Sequence, residues 1–468
     1  MNFLCELSQY PEEIKIHVLI SSSGTVEVMS LFGTNGIRGI LNETLDPELA
    51  YKLGMAAGTY FEEGEIAIAN DSRTSSELLK QMVAAGIMNT GKNVVDLGLF
   101  PTPGLQVYCK ENGIPGVMIT ASHNPPEFNG LKLVRPDGLH PNKEQESEVE
   151  RIIMGDLYYK TTWDTVGKIR SEDATELYIS RVHKFIKAAK IRSARLNVLA
   201  DLASSVATKT TPALLKSLGV KYTSINGNPD GLFPGRNPEP NEENLQKTID
   251  FAKSGGFDLT VAHDGDADRA VFLDENGNFI DGDKVVAIIA DHILKNKKGD
   301  LVVPVSSSFL IDWVARNHGV NVHRTRVGAP IVADELEKRN GLFGGEENGG
   351  VIFPEYLNAR DGVFALAMML DIIASENQSI SKIVKKMPDY KIKRIKIPMN
   401  RDFDSIKNEL LDKYGNFEKD ETDGIKLIQG DKFILARKSG TEPIIRIYIS
   451  AMDEDWISSR ENEIRKII

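Results

Sequence analysis

Three segments of this 468-residue chain repeat one rhythm, and that repetition limits the fold more than any other feature. They are "EIAIANDSRTSSELLKQMVAAGIMNTGKNVVDLG" at 65–98, "LNVLADLASSVATKTTPALLKSLGVKYTSING" at 196–227 and "GDLVVPVSSSFLIDWVARNHGVNVHRTRVG" at 299–328. Each starts with a short apolar run and passes through a Ser/Thr/Asp loop suited to capping a helix. Apolar residues then recur at helical spacing, and Gly or Gly-Lys leads into a second apolar run. Two strands joined by a helix lie parallel with a right-handed crossover. Three such units predict three α/β domains.

A further strand and a polar loop follow each unit. The loops read "ITASHNP" at 119–125, "VAHDGDADR" at 261–269 and "GGEENGG" at 344–350. Ligands of open α/β sheets gather at the carboxyl ends of strands, so three loops in matching positions are expected to face one cleft. From about residue 387 the pattern changes to partly alternating strands, "YKIKRIKIPM", "DGIKLIQGDKFILARKS" and "EPIIRIYISAM", ending in a charged helix. This predicts a smaller α+β domain. The expected divisions are 29–170, 171–278, 279–386 and 387–468. Residues 1–28 form an N-terminal extension whose "IKIHVLISSSGTVEV" reads as a strand pair and lacks a signal-peptide pattern.

The composition narrows the function classes. Hydrophobic residues make up 41% and charged residues 26%, as in soluble globular proteins. No apolar run reaches the ~18–20 residues that span a bilayer. A net charge of −11 argues against nucleic acid or an anionic membrane as partner, so an anionic ligand needs local positive charge. Two cysteines, Cys5 and Cys109, give no disulfide framework, which suits a cytoplasmic location.

Asp264, Asp266 and Asp268 alternate in "DGDADR". Carboxylates so close repel unless a cation holds them, and hard oxygen donors suit Mg²⁺ or Ca²⁺. Glu275 falls at the twelfth position of an EF-hand frame, but Arg269 stands where that loop needs glycine. A solvated acidic turn is the bland alternative. Ser122 and His123 end an apolar run and precede Asn124-Pro125-Pro126, a stiff exit. No G-x-S-x-G elbow surrounds Ser122, which argues against a serine hydrolase. With a metal loop opposite, the serine suits carriage of a phosphoryl group, with Lys132, Arg269 and His123 supplying positive charge or protons. Glu346 and Asn348, between glycines, suit sugar hydroxyls, although an ordinary turn has the same composition. "RKSGTEPIIRIY" groups Arg437, Ser439, Gly440, Thr441 and Arg446 in a pattern that can hold a phosphate, although a plain basic hairpin has the same composition.

Together these motifs, from "LFGTNGIRG" to "RKSGTEPIIRIY", closely resemble the α-D-phosphohexomutase family and occur in its order. The resemblance implies an α/β fold: three similar α/β domains with mixed sheets plus a smaller C-terminal α+β domain around a central cleft. It implies Ser122 as the phosphoserine and Ser122, Asp264, Asp266 and Asp268 as Mg²⁺ ligands. His123, Lys132 and Arg269 then surround the transfer site. Arg38, Glu346, Asn348, Arg437, Ser439, Gly440, Thr441 and Arg446 contact a phosphorylated hexose or hexosamine. The implied reaction exchanges a 6-phosphate and a 1-phosphate through a 1,6-bisphosphate. Three positions depart from the family pattern. The sugar loop ends Gly349-Gly350 where Gly-His is common, Asn70 replaces a usual arginine, and Lys438 stands where proline is frequent. The first, an archaeal-looking form, ranks amino sugars ahead of glucose and mannose phosphates. A phosphatase and a non-catalytic sugar-phosphate-binding protein are the alternative functions.

Overall fold

The computed structural model describes residues 31–33, 36–399, 401–439 and 444–467, with backbone alone at 19–20 and 26–27. Each repeat forms the expected unit. Strand Glu65–Asn70, helix Ser76–Asn89 and strand Asn93–Leu99 follow in order, the strands pairing in parallel. Asn197–Asp201, Ala207–Ser217 and Lys221–Ile225 form the second unit. Leu301–Pro304, Leu310–His318 and Val322–Thr325 form the third. On the other side of each first strand lies a further parallel strand: Gly116–Ile119, Leu259–His263 and Phe343–Glu346. An antiparallel strand then turns back, at Phe128–Val134, Ala270–Leu273 and Gly350–Phe353. The three polar loops therefore leave their sheets at corresponding points, between the last parallel strand and its antiparallel neighbour.

The first sheet has six strands and the next two have five each; all three are mixed. Both faces of the first sheet are buried, with opposite sets of residues. Ile66 and Ile68 pack with Leu53, Val83 and Ile87 on one side. Ala67 and Ala69 face Leu105 and Tyr108 on the other. Alternate side chains of a strand point to opposite faces, which explains the near-continuous apolar run of "EIAIA". The second face joins an apolar cluster running on through Val198 and Leu259 to Val285, Val303 and Phe364. The three α/β layers are thus packed against one another through a shared interior.

The fourth sheet is five-stranded and antiparallel, in the order Lys391–Pro398, Ile444–Ala451, Lys432–Lys438, Ile425–Gln429, Glu418–Asp420. Helices Phe403–Lys413 and Glu454–Ile467 supply Ile406, Leu410, Ile457 and Ile464 to a core of its own with Ile434 and Ala436. Phe433 and Leu435, pointing the other way, meet Val305 of the third layer in a much smaller apolar patch. Lys426 reinforces this junction: it is buried, donates from Nζ to the Val305 carbonyl at 2.6 Å, and lies 3.9 Å from the Phe433 ring centroid. At the N-terminus, Leu19–Ile20 and Val26–Glu27 pair as short antiparallel strands. Among the described residues no helix is long and apolar enough to cross a membrane.

Helices Pro47–Tyr60 and Ser76–Asn89 cross at glycines. A Cβ on Gly86 would sit 2.2 Å from the Tyr51 carbonyl oxygen, and one on Gly54 would sit 2.2 Å from that of Val83. Backbone atoms cannot step aside as a side chain can. Gly86→Ala therefore gains ~1 kcal/mol of helix propensity but meets an overpacking cost that exceeds it. With an overpacking cost of about 1–3 kcal/mol, the expected outcome is a net loss of up to about 2 kcal/mol, read as a lower thermal unfolding midpoint by circular dichroism or calorimetry.

Candidate active site

The serine loop is rigid because one buried arginine ties it down. Arg73 Nη2 donates to the carbonyls of Ser122 at 2.9 Å and Asn124 at 2.6 Å. Its Nη1 donates to Phe128 O at 2.7 Å and also to Pro125 O. Asp71 holds the guanidinium from behind, accepting from Arg73 Nε at 2.9 Å, Ser76 Oγ at 2.7 Å and Thr120 Oγ1 at 2.6 Å. Thr120 in turn accepts from the Ser122 amide at 2.9 Å. The loop so fixed holds Ser122 at φ +53°, in the left-handed region. Its side chain is buried and Oγ donates to Asp264 Oδ2 at 2.8 Å. His123 Nδ1 lies 3.5 Å from the same oxygen.

The acidic loop approaches the serine loop at Gly265. A Cβ there would fall 2.4 Å from the Ser122 carbonyl oxygen, so only glycine permits this approach. Ser205 Oγ anchors the Gly265 carbonyl at 2.6 Å from a neighbouring loop. Asp264, Asp266 and Asp268 are all buried, with one carboxylate oxygen of each within 4.8 Å of the others. Each is partly committed already. Asp266 Oδ2 accepts from Lys132 Nζ and Thr102 Oγ1, both at 2.6 Å. Asp268 pairs with the Arg360 guanidinium, and Asp264 Oδ1 accepts from the Arg269 amide at 3.2 Å.

Two buried oxygens, Asp266 Oδ1 and Asp268 Oδ1, have no hydrogen-bond partner. Buried polar atoms are normally satisfied, and oxygen donors gathered this way fit a hard divalent cation. Burial, with Asp268 and Asp266 alongside, pushes the Asp264 carboxyl well above the usual range. Burial acts the same way on Asp266, but the Lys132 ammonium outweighs it and holds that group far below its ordinary value. Around the triad stand Arg38, whose Nη1 donates to Asn124 Oδ1 at 2.6 Å, and Arg269, 3.7 Å from Asp268. Arg269, then burial and Arg38, drive the His123 imidazole far below its normal value, so it stays neutral.

A cleft of roughly 480 Å³ opens beside these groups. Lys132, Asp268, Arg326, Arg360 and Arg437 line it, so all four layers border it. In the third layer, Glu346 is buried and paired to Arg360 at 3.0 Å, while Asn348 Oδ1 accepts from the Gly350 amide at 3.2 Å. In the fourth, Arg437 Nε donates to Asp423 at 2.7 Å, and Asp423 also accepts from the Val327 amide at 3.0 Å across the layer boundary. Arg437 and Arg446 are direct cross-strand partners. Ser439 precedes that turn; Gly440 and Thr441 lie outside the described residues.

The sequence matches three descriptions in series: phosphoglucomutase/phosphomannomutase alpha/beta/alpha domain I at residues 29–160, domain II at 176–277 and domain III at 281–390. The chain belongs to this family, the α-D-phosphohexomutases. Over 435 residues it is 43% identical to a phosphoglucomutase/phosphomannomutase of Thermococcus kodakarensis, covering 91% of this chain and 95% of the relative. It is 37% identical to a phosphoglucosamine/phosphogalactosamine mutase of Sulfurisphaera tokodaii, covering 94% and 99%. A crystal structure of a phosphoglucomutase/phosphomannomutase family protein from Burkholderia thailandensis superposes with a TM-score of 0.83 at 25% identity, covering 94% and 96%.

Within this phosphohexomutase, Ser122, His123, Arg38 and Arg269 meet around one point. Lys132 reaches Asp266 rather than the serine hydroxyl. Glu346 lies against Arg360, and Arg437 lines the same cleft as Arg360. Sequence reasoning passed over Arg73, Thr102 and Arg360. Arg73 could have been suspected from "NDSR", a charged turn directly after a buried strand. Arg73→Met should leave four loop carbonyls without their shared donor. Hydrogen bonds to a charged group are worth ~1.5–3 kcal/mol each, so the loop should loosen and turnover fall by at least about tenfold. Hydrogen exchange over residues 121–128, measured alongside activity, checks both effects.

Proposed function

We propose that this chain interconverts hexose or hexosamine 6-phosphate and 1-phosphate, with Ser122 as the phosphoryl carrier. One observation carries the reading: Ser122 Oγ lies 2.8 Å from Asp264, beside two buried carboxylate oxygens that lack hydrogen-bond partners among the described residues. A phosphoester oxygen on Ser122, with Asp264, Asp266 and Asp268, would complete an all-oxygen set suited to Mg²⁺. A bound divalent cation supplies neutralisation of the charge that gathers on phosphoryl oxygens during transfer.

The residues divide the remaining work. In the first half-reaction the free sugar hydroxyl bonds to phosphorus as the bond to Ser122 Oγ breaks. The hydroxyl loses a proton and Ser122 Oγ regains one, so charge and protons balance. His123 Nδ1, 3.5 Å from Oγ, is placed within a small shift of hydrogen-bond reach of that proton. Arg269 and Arg38 add fixed positive charge around the transferring group. The 1,6-bisphosphate then turns, and its other phosphate returns to Ser122. Glu346 and Asn348 receive sugar hydroxyls. Arg437, Ser439, Gly440, Thr441 and Arg446 grip the phosphate that is not being transferred. The small apolar junction of the fourth layer suits closure over the sugar, which would keep water from the phosphoserine.

Relatives of both substrate names match over nearly the whole chain. The Glu346-Glu347-Asn348-Gly349-Gly350 loop keeps hexosamine phosphates first in the reading. The deciding experiment follows isomer formation and phosphate release together, using glucose, mannose and glucosamine phosphates with Mg²⁺. Isomer formation, abolished by chelation and lowered about three orders of magnitude or more in Ser122→Ala, is the expected result. Phosphate release without isomer would make the protein a phosphatase. Binding without either would make it a sugar-phosphate-binding protein, and a fully active Ser122→Ala would remove the carrier assignment.

A further inference from the structure

Gly350 opens the strand Gly350–Phe353, and its backbone does not lie in the left-handed region that requires glycine. What excludes a side chain there is Arg360. An ideal Cβ on Gly350 would lie 2.3 Å from Arg360 Cδ and 3.0 Å from Cγ; the next atom, Asn348 Oδ1, is 3.2 Å away. These are mid-chain atoms of a buried arginine that is fixed at its far end, so they cannot swing aside. The far end joins two layers. Nη1 donates to Glu346 of the third layer at 3.0 Å, and Nη2 pairs with Asp268 of the second. The position where the family commonly carries histidine is therefore empty of side chain here, and the aliphatic stem of an arginine from the neighbouring strand runs through that space.

We propose that Arg360 is a positioning residue that sets Glu346 of the sugar loop and Asp268 of the acidic loop in one register, and that Gly350 is the corridor it needs. The assignment rests on the phosphohexomutase reading of this site. Arginine suits the task because its planar fork can hold two carboxylates at once, which a lysine ammonium on one flexible stem does not reproduce. The clasp engages Asp268 Oδ2, while Oδ1 has no hydrogen-bond partner among the described residues and lies 3.7 Å from Arg269 Nε. It also places a fixed positive charge beside the cation site. Arg360 therefore trades metal affinity for a fixed sugar-binding carboxylate.

That trade gives a signature that general loosening of the fold would not. Removing the guanidinium should raise KM for the sugar phosphate by about tenfold or more, because Glu346 loses its charged partner. It should at the same time tighten Mn²⁺ binding severalfold, since a like charge leaves the site and Asp268 Oδ2 is released. A double-mutant cycle tests this with Gly350→Ala and Arg360→Met, Arg360→Lys serving as a second, charge-conserving variant. Mn²⁺ binding to the purified protein without sugar is read by electron paramagnetic resonance, and KM and kcat are read on the sugar phosphate that the unmodified protein converts. Gly350→Ala should shift both quantities in the direction that Arg360→Met does, yet add less than about twofold in the Arg360→Met background. Weaker or unchanged Mn²⁺ binding in Arg360→Met, or an equal Gly350→Ala effect in both backgrounds, overturns the proposal. An unmodified protein that turns over no sugar phosphate defeats the mutase reading instead, while the Mn²⁺ arm still decides whether Gly350 and Arg360 are coupled.

Discussion

Burying Asp264, Asp266 and Asp268 within 4.8 Å of one another carries a large electrostatic cost, and the surrounding structure is arranged around offsetting it. Lys132 reaches in from the first layer and Arg360 from the third, while Arg269 lies next to the triad in its own loop. Ser122 and Thr102 contribute hydroxyls from the first layer. The acidic loop is thus stable only in contact with its neighbours. The same contacts that neutralise it bring the serine, the sugar loop and the cleft to one place.

The three-fold repetition makes that convergence possible with simple parts. Each layer uses the turn between its last parallel strand and the returning antiparallel strand, and each fills that turn with different chemistry. The serine turn is braced by an arginine and an aspartate from the preceding loop. The acidic turn is braced from other layers. The sugar turn is braced by a strand of its own sheet. The fourth layer keeps a separate apolar core and touches the third through a small patch around Phe433 and Val305. An element with its own core and a small interface can shift as a body without disturbing the buried acidic triad.

Much of this was legible in the sequence because it depends on local pattern. Strand-helix-strand units declare themselves through spacing, and alternating aspartates declare a cluster of mutually repelling carboxylates. Arg73 and Arg360 were not legible for one shared reason. Their partners lie far along the chain, Asn124 and Pro125 for one and Asp268 for the other, and a local pattern can flag a charged turn such as "NDSR" without saying which distant loop its side chain reaches. Gly350 shows the converse. The sequence displayed it as a departure from the family pattern, and only the path of Arg360 through the space above it supplies a physical cause. The Lys132 case is different again. Its identity as a cation near the site was readable, but its commitment to Asp266 depends on how two layers dock.

The left-handed backbone at Ser122 reaches beyond local geometry. Threonine offers the same hydroxyl and the same phosphoester chemistry, yet a β-branched residue is strongly disfavoured at positive φ. The turn that aims Oγ at Asp264 therefore also selects which amino acid can occupy its apex. In this fold the choice of serine over threonine is made by the main chain before any sugar or phosphate arrives.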